Sequence, residues 1–66
     1  MNIFLNGAPT EVEDRLGMSE LIRKLSLADR RIAVEVNGEL VPRSRFDIHC
    51  LEPDDRVEII HAVGGG

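Results

Sequence analysis

One cysteine, Cys50, is all the thiol this sequence holds, so no internal disulfide can brace the chain. The fold must be held by packing alone, which suits a reducing cytoplasm. Long apolar runs are also missing: none approaches the roughly 20 residues a bilayer-crossing helix needs, and no basic-then-apolar segment leads the chain. The expectation is a soluble, cytoplasmic protein with no membrane partner. Repeats, linkers and low-complexity tracts are absent apart from three terminal glycines. A chain of 66 residues makes one domain with a small core, which leaves little room for an elaborate catalytic cleft.

Positive charge is scarce: 8 basic against 12 acidic side chains give a formal net charge of −4. The imbalance lies in the second half, because residues 1–33 carry five charges of each sign while 34–66 carry three basic and seven acidic. Nucleic acid is therefore not the expected partner, since phosphate binding needs a cationic surface. An anionic carboxyl-terminal half points instead to a protein partner with a basic receiving surface.

What is present alternates with period two. In "MNIFL" Met1, Ile3 and Leu5 share one face and Asn2 and Phe4 the other. Asn6 and Gly7 tolerate the positive φ of a tight hairpin, so Thr10 to Glu13 are expected to return antiparallel beside the first strand. Met18, Leu21, Ile22 and Leu25 fall at i, i+3, i+4 and i+7, predicting a helix over residues 18–27 capped by Gly17 or Ser19. Alternation resumes with Ile32, Val34 and Val36 inward and Ala33 and Glu35 outward, followed by a second turn at Asn37-Gly38. Leu40 and Val41 form a short edge strand ended by Pro42. Residues 43–55 are irregular, and "RVEIIHAV" is the last strand. Being apolar on both faces, that strand is expected in the middle of the sheet.

Gly64, Gly65 and Gly66 follow it directly. A frayed end or a cloning scar would account for them, although chance would put three glycines at a given place in only roughly 3 of 10,000 sequences. Sterics offer a functional reading, because glycine has no Cβ and can thread a narrow channel with nothing crowding the terminal carboxyl carbon. Such a carboxylate is inert until transfer to the α-phosphate of ATP makes it an acyl-adenylate open to a sulfur or nitrogen nucleophile.

The ββαββ order ending in Gly-Gly, with "AVEVNGELVPRS" and "RVEIIHAVGGG", resembles the ubiquitin-like sulfur carriers, and Asn37-Gly38-x-x-Val41-Pro42-Arg43 resembles their thiamine-pathway branch, the ThiS proteins. The resemblance spans essentially the whole chain. It implies an α+β, β-grasp fold with a mixed sheet wrapped on one helix over 1–63 and a glycine tail over 64–66. It further implies that Gly66 is adenylated by a ThiF-like adenylyltransferase using ATP and Mg, converted to a thiocarboxylate by way of a sulfur donor protein, and drained of sulfur by a ThiG-like thiazole synthase. The chain would be a carrier, a monomer when free, with no catalytic residue and no resident cofactor. One departure is Pro53-Asp54-Asp55 where such proteins often have Gly-Asp, which asks an Asp to take a left-handed backbone.

Other readings compete. A molybdopterin synthase small subunit would use the same chemistry, a ubiquitin-like modifier would conjugate the same tail, and a structural module would use it for nothing. His49 and Cys50 as base and nucleophile would have to meet across an extended chain, whose neighbours point oppositely. Cys50 reads as a small apolar filler. His49, Cys50 and His61 lack metal-ligand spacing, so no metal is expected. Glu52, Asp54 and Asp55 read as solvated turn residues, and Arg43 and Arg45 as surface charges. Finally, Glu58 marks the second face of the last strand as wet, which leaves Ile60 and Ala62, joined by Phe4, as an exposed apolar patch for docking partners.

Overall fold

Both Asn-Gly pairs turn the chain in the way their chemistry allows. In the computed structural model, which describes residues 1–61, Asn6 and Gly7 have φ of 49° and 85°, and Asn37 and Gly38 of 52° and 86°. Positive φ at both central residues makes a two-residue turn whose twist matches the strands on either side. The first joins β1 (Asn2–Leu5) to β2 (Ala8–Glu11), with Leu5 opposite Ala8. The second joins β3 (Ile32–Val36) to β4 (Glu39–Val41), with Val36 opposite Glu39.

The first return strand thus starts at Ala8 rather than Thr10, because so tight a turn leaves no residues over. Pro9 is tolerated inside it for a geometric reason. It faces Phe4, whose own N–H points the other way, to the Asp55 carbonyl at 2.8 Å. The donor that Pro9 lacks would have faced the open edge of the sheet.

Helix α1 runs over Met18–Lys24, shorter than the 18–27 its apolar stripe predicts. Gly17 holds the N-cap position and contributes no side-chain hydrogen bond. Ser19 instead donates its hydroxyl to the Asp47 carboxylate, tying the first turn to the following loop region. The early stop lies at Ser26, whose φ is 60°. There the Ser26 N–H bonds the Arg23 carbonyl and the Leu27 N–H the Ile22 carbonyl, both at 3.0 Å. This is a left-handed helix stop, and it folds Leu27 back against the core.

The last strand, β5 (Arg56–His61), lies in the centre of a five-stranded sheet of order β2-β1-β5-β3-β4. It runs parallel to β1 and antiparallel to β3. Helix α1 covers one face, so the β-grasp arrangement expected from the sequence is the one observed. The core is aliphatic except for Phe46, built from Ile3, Leu16, Met18, Leu21, Ile22, Val34, Val36, Val41, Leu51, Val57 and Ile59, with no buried polar residue among those described. In β5 the alternation holds: Val57 and Ile59 face the helix, while Glu58 and Ile60 are exposed.

Both turn asparagines also bond to β5. Asn6 accepts the Ile59 N–H on its side-chain oxygen at 2.9 Å. Asn37 likewise accepts the Arg56 N–H at 2.9 Å and donates its amide to Asp55 at 3.1 Å. Asn6 is thus a ladder partner beyond the end of β1. Asn6→Gly keeps the positive φ without strain but orphans the part-buried Ile59 N–H, and urea denaturation should show a loss of about 1–3 kcal/mol. Unchanged stability would mean that water replaces the bond without cost.

Ser26→Gly tests the helix stop in the opposite direction. It should stabilise the fold by about 0.5–1 kcal/mol, the left-handed penalty of a side chain less the extra unfolded-state freedom of glycine. A lower midpoint in thermal denaturation would contradict the stop as described.

Candidate functional site

The residues singled out for chemistry, Gly64, Gly65 and Gly66, lie outside the described residues, as do Ala62 and Val63. What the structure defines is the platform that leads to them. β5 is paired with β3 from Val57, opposite Val36, to His61, opposite Ile32. On its other side β1 pairs only at Phe4 with Arg56 and Leu5 with Val57. Beyond Val57, the Asn6 side chain takes over.

The sheet face away from the helix carries Phe4, Arg56, Glu58, Ile60, Ala33, Glu35 and Leu40, since each of these is in register with another of the set. Ile60 is 48 % exposed and pairs across to Ala33. Phe4 is half-buried and shares the face, yet it sits beside Arg56, four positions along β5 from Ile60, or about 13 Å. The apolar surface near Ile60 therefore extends toward β3 and β4 rather than toward Phe4. Leu40, 65 % exposed, lies on that side. Phe4 instead helps line a shallow depression of about 250 Å³ with Gly7, Arg56, Val57 and Glu58.

At the centre of this face Glu35 and Glu58 stand directly opposite each other. Like charges in that position destabilise a sheet. Neither takes part in an ion pair among the described residues. Sequence reading named Glu58 as a sign of a wet face but missed its partner and Leu40. The signal was the matching "VEV" and "VEI" triplets, which a known register turns into a pair.

Cys50 departs from expectation. It is exposed rather than a packed filler, because Leu51 takes the buried position and the antiparallel bridge of Cys50 to Gly17 turns the preceding residue outward. Cys50 and His49 both line a concavity of about 640 Å³ together with Arg45, Glu52 and Asp55. No hydrogen bond joins the thiol to the imidazole among the described residues, and the buried His49 Nε2 has no partner there. No group of three or more His, Cys, Asp or Glu among the described residues is arranged to hold a metal ion. No described helix is long and apolar enough to cross a membrane.

The acidic turn is structural. Asp54 carries the left-handed backbone, at φ 67°. Asp55 accepts the Glu52 N–H at 2.9 Å and the Asn37 amide at 3.1 Å. Arg43 donates to the carbonyls of Ala28, at 3.4 Å, and Arg30, at 2.8 Å, and its guanidinium stands 5.5 Å from the centre of the Phe46 ring. It is a tether as well as a surface charge.

A model of the ThiS family matches residues 3–66. The chain belongs to the ThiS family. The crystal structure of the thiamine biosynthesis protein ThiS from Geobacter metallireducens superimposes with a TM-score of 0.87 at 36 % identity, covering 100 % of both chains. Among curated proteins, a thiazole synthase of Magnetococcus marinus is 36 % identical over all 66 residues, which span 20 % of its length. The uncharacterized protein ycf40 of Porphyra purpurea is 36 % identical over the same 66 residues, 93 % of its own length. The chain thus spans about a fifth of the first of these relatives and nearly all of the second.

The acidic pair makes a prediction of its own. Glu58→Gln removes one charge from the pair without changing its shape, and chemical denaturation should show a gain of about 0.2–1 kcal/mol. A loss would mean that the two carboxylates do not oppose each other in solution.

Proposed function

We propose that the chain carries sulfur on Gly66 as a terminal thiocarboxylate and delivers it to thiazole formation in thiamine biosynthesis. The observation that carries the reading is a ThiS-family chain whose central strand leads, through Ala62 and Val63, into Gly64-Gly65-Gly66. In the first step a Gly66 carboxylate oxygen attacks the α-phosphate of ATP, with Mg, on a ThiF-like adenylyltransferase. Pyrophosphate leaves and the carboxyl group becomes an acyl-adenylate. The outer sulfur of a donor-protein persulfide then attacks the acyl carbon and AMP leaves. A thiol reductant cleaves the resulting S–S bond by forming a disulfide with the donor's sulfur, so that one oxygen of the carboxylate ends up replaced by sulfur. A ThiG-like thiazole synthase takes up that sulfur.

Gly64 and Gly65 serve this chemistry by their lack of side chains, which lets the tail enter a narrow channel. The body is held by the outer sheet face, with Ile60 and Leu40 as apolar contacts and the Glu35–Glu58 pair as the charge a basic partner neutralises. The patch of Phe4, Ile60 and Ala62 foreseen from sequence is thereby recentred on Ile60 and Leu40. The chain needs no catalytic group of its own and works as a co-substrate, in a reducing compartment such as the cytoplasm. The likeness to a thiamine biosynthesis protein over the whole chain favours this branch over the molybdopterin one.

Intact-mass measurement after incubation with ATP, Mg, the adenylyltransferase and a sulfur source tests the reading. The chain should gain the mass of one oxygen-to-sulfur exchange, Cys50→Ala should gain it too, and a variant lacking Gly66 should not. A thiocarboxylate on the deletion variant overturns the assignment of Gly66. Ile60→Asp should weaken binding to the adenylyltransferase about tenfold or more while moving the thermal midpoint little, since its side chain is already half in water.

A further inference from the structure

The described part of β5 ends beside the start of β3, where His61 lies opposite Ile32 and Ile60 opposite Ala33. The residues that lead into β3 form a cleft at this same corner, lined by Asp29, Arg30, Arg31, Ile32, Ala33 and Arg43 among others. Three of the 8 basic side chains of a chain with net charge −4 thus line one cleft that holds a single carboxylate, Asp29. Neither ion pair among the described residues, the Met1 amine with Asp14 or Lys24 with Glu13, draws on these arginines. Arg43 holds the loop in place through the Ala28 and Arg30 carbonyls. Arg30 and Arg31 are exposed, and no hydrogen bond from either side chain to the rest of the fold is found among the described residues. Their charges repel one another and Arg43 without return to the isolated fold.

We propose that this cleft docks carboxylates at the mouth of the channel that takes up the carboxyl-terminal tail on a partner protein. The proposal rests on the reading of Gly66 as the reacting end. A nucleotide phosphate is the other anion that could meet these arginines, and reach decides against it. Five residues, 62–66, follow His61, and fully extended they span at most about 18 Å. The phosphate that reacts with Gly66 is at the far end of that span, whereas the arginines stand at its root. A carboxylate at the channel mouth meets the cleft while the tail is extended. With the acidic pair on the adjoining sheet face, the body then presents two patches of opposite sign, which fixes its rotation on a partner as well as its position.

The test uses a hexaglutamate peptide titrated into the full-length, ¹⁵N-labelled chain at low salt. The largest amide shifts should fall at residues 28–33 and 43, fade at about 0.15 M salt, and vanish in the Arg30→Gln/Arg31→Gln double variant. Repulsion from a net charge of −4 works against binding elsewhere, so localisation is informative. Shifts scattered over the surface, or unchanged in the double variant, overturn the proposal. So does ATP shifting these amides where the peptide does not, because the cleft would then prefer phosphate. On the adenylyltransferase the double variant should lose about tenfold in affinity at low salt and show a flatter salt dependence, and an unchanged affinity is equally fatal. Failure of the wild-type chain to bind that enzyme or to gain sulfur would sink the carrier reading, while the peptide titration still decides the cleft.

Discussion

Everything in this fold that bears on function depends on the backbone hydrogen bonds of one strand. β5 is the last described element and also the centre of the sheet, so the segment that leads to the tail is the one with neighbours on both sides. Its pairing is not symmetrical. β3 pairs with it from Val57 to His61, whereas β1 gives out after Leu5, where the Asn6 carboxamide stands in for a strand by accepting the Ile59 N–H. The same residue type performs the same service at the other turn, where Asn37 accepts the Arg56 N–H. Each Asn-Gly pair therefore does two jobs: its φ closes a hairpin, and its asparagine side chain anchors the hairpin to the central strand.

With one helix for five strands, only one sheet face can be covered. Alternation in β5 sends Val57 and Ile59 to the helix and Glu58 and Ile60 to water. The covered face closes over an apolar core, with no buried polar residue among those described. The open face holds a pair of opposed carboxylates between exposed Leu40 and half-exposed Ile60, a combination that gives the isolated sheet no stability. Isolated exposed leucines are ordinary. An unneutralised like-charge pair flanked by apolar side chains is better explained by what it meets than by what it holds together.

Much of this was legible in the sequence because the signals were local. Asn-Gly dipeptides carry their own turn geometry, period-two alternation sorts faces, and a strand apolar on both sides reads as central. The helix stop was not legible, because it needs a serine to take a left-handed backbone, and serine advertises no such preference. The start of β2 was misplaced because the two-residue turn leaves Ala8 and Pro9 inside the strand, where Pro9 fits only because its nitrogen faces the edge. The exposure of Cys50 follows from a single bridge to Gly17, a long-range contact with no trace in the local pattern. The acidic pair and the arginine cleft are likewise products of register: Glu35 meets Glu58, and Arg43 reaches Arg30, only once β3, β5 and the loop after Pro42 are in place. Charges scattered along a chain become patches only in three dimensions.

Holding the body while a carboxyl-terminal residue reacts has an energetic consequence on the proposed reading. Contacts made by the sheet face and the arginine cleft are the same before and after the carboxylate reacts, so they bind ground state and transition state alike and cannot by themselves accelerate chemistry. What they do is fix the root of a segment that reaches no more than about 18 Å, which turns a bimolecular encounter of carboxylate and nucleotide into a local one. A body held by one patch could still rotate about that contact and sweep the tail away from its channel. Two patches of opposite sign near the exit of β5 remove that freedom. On this account the order imposed by β5, the acidic face and the basic cleft form one device: they set the position, the tilt and the rotation of a carboxylate that the protein itself never activates.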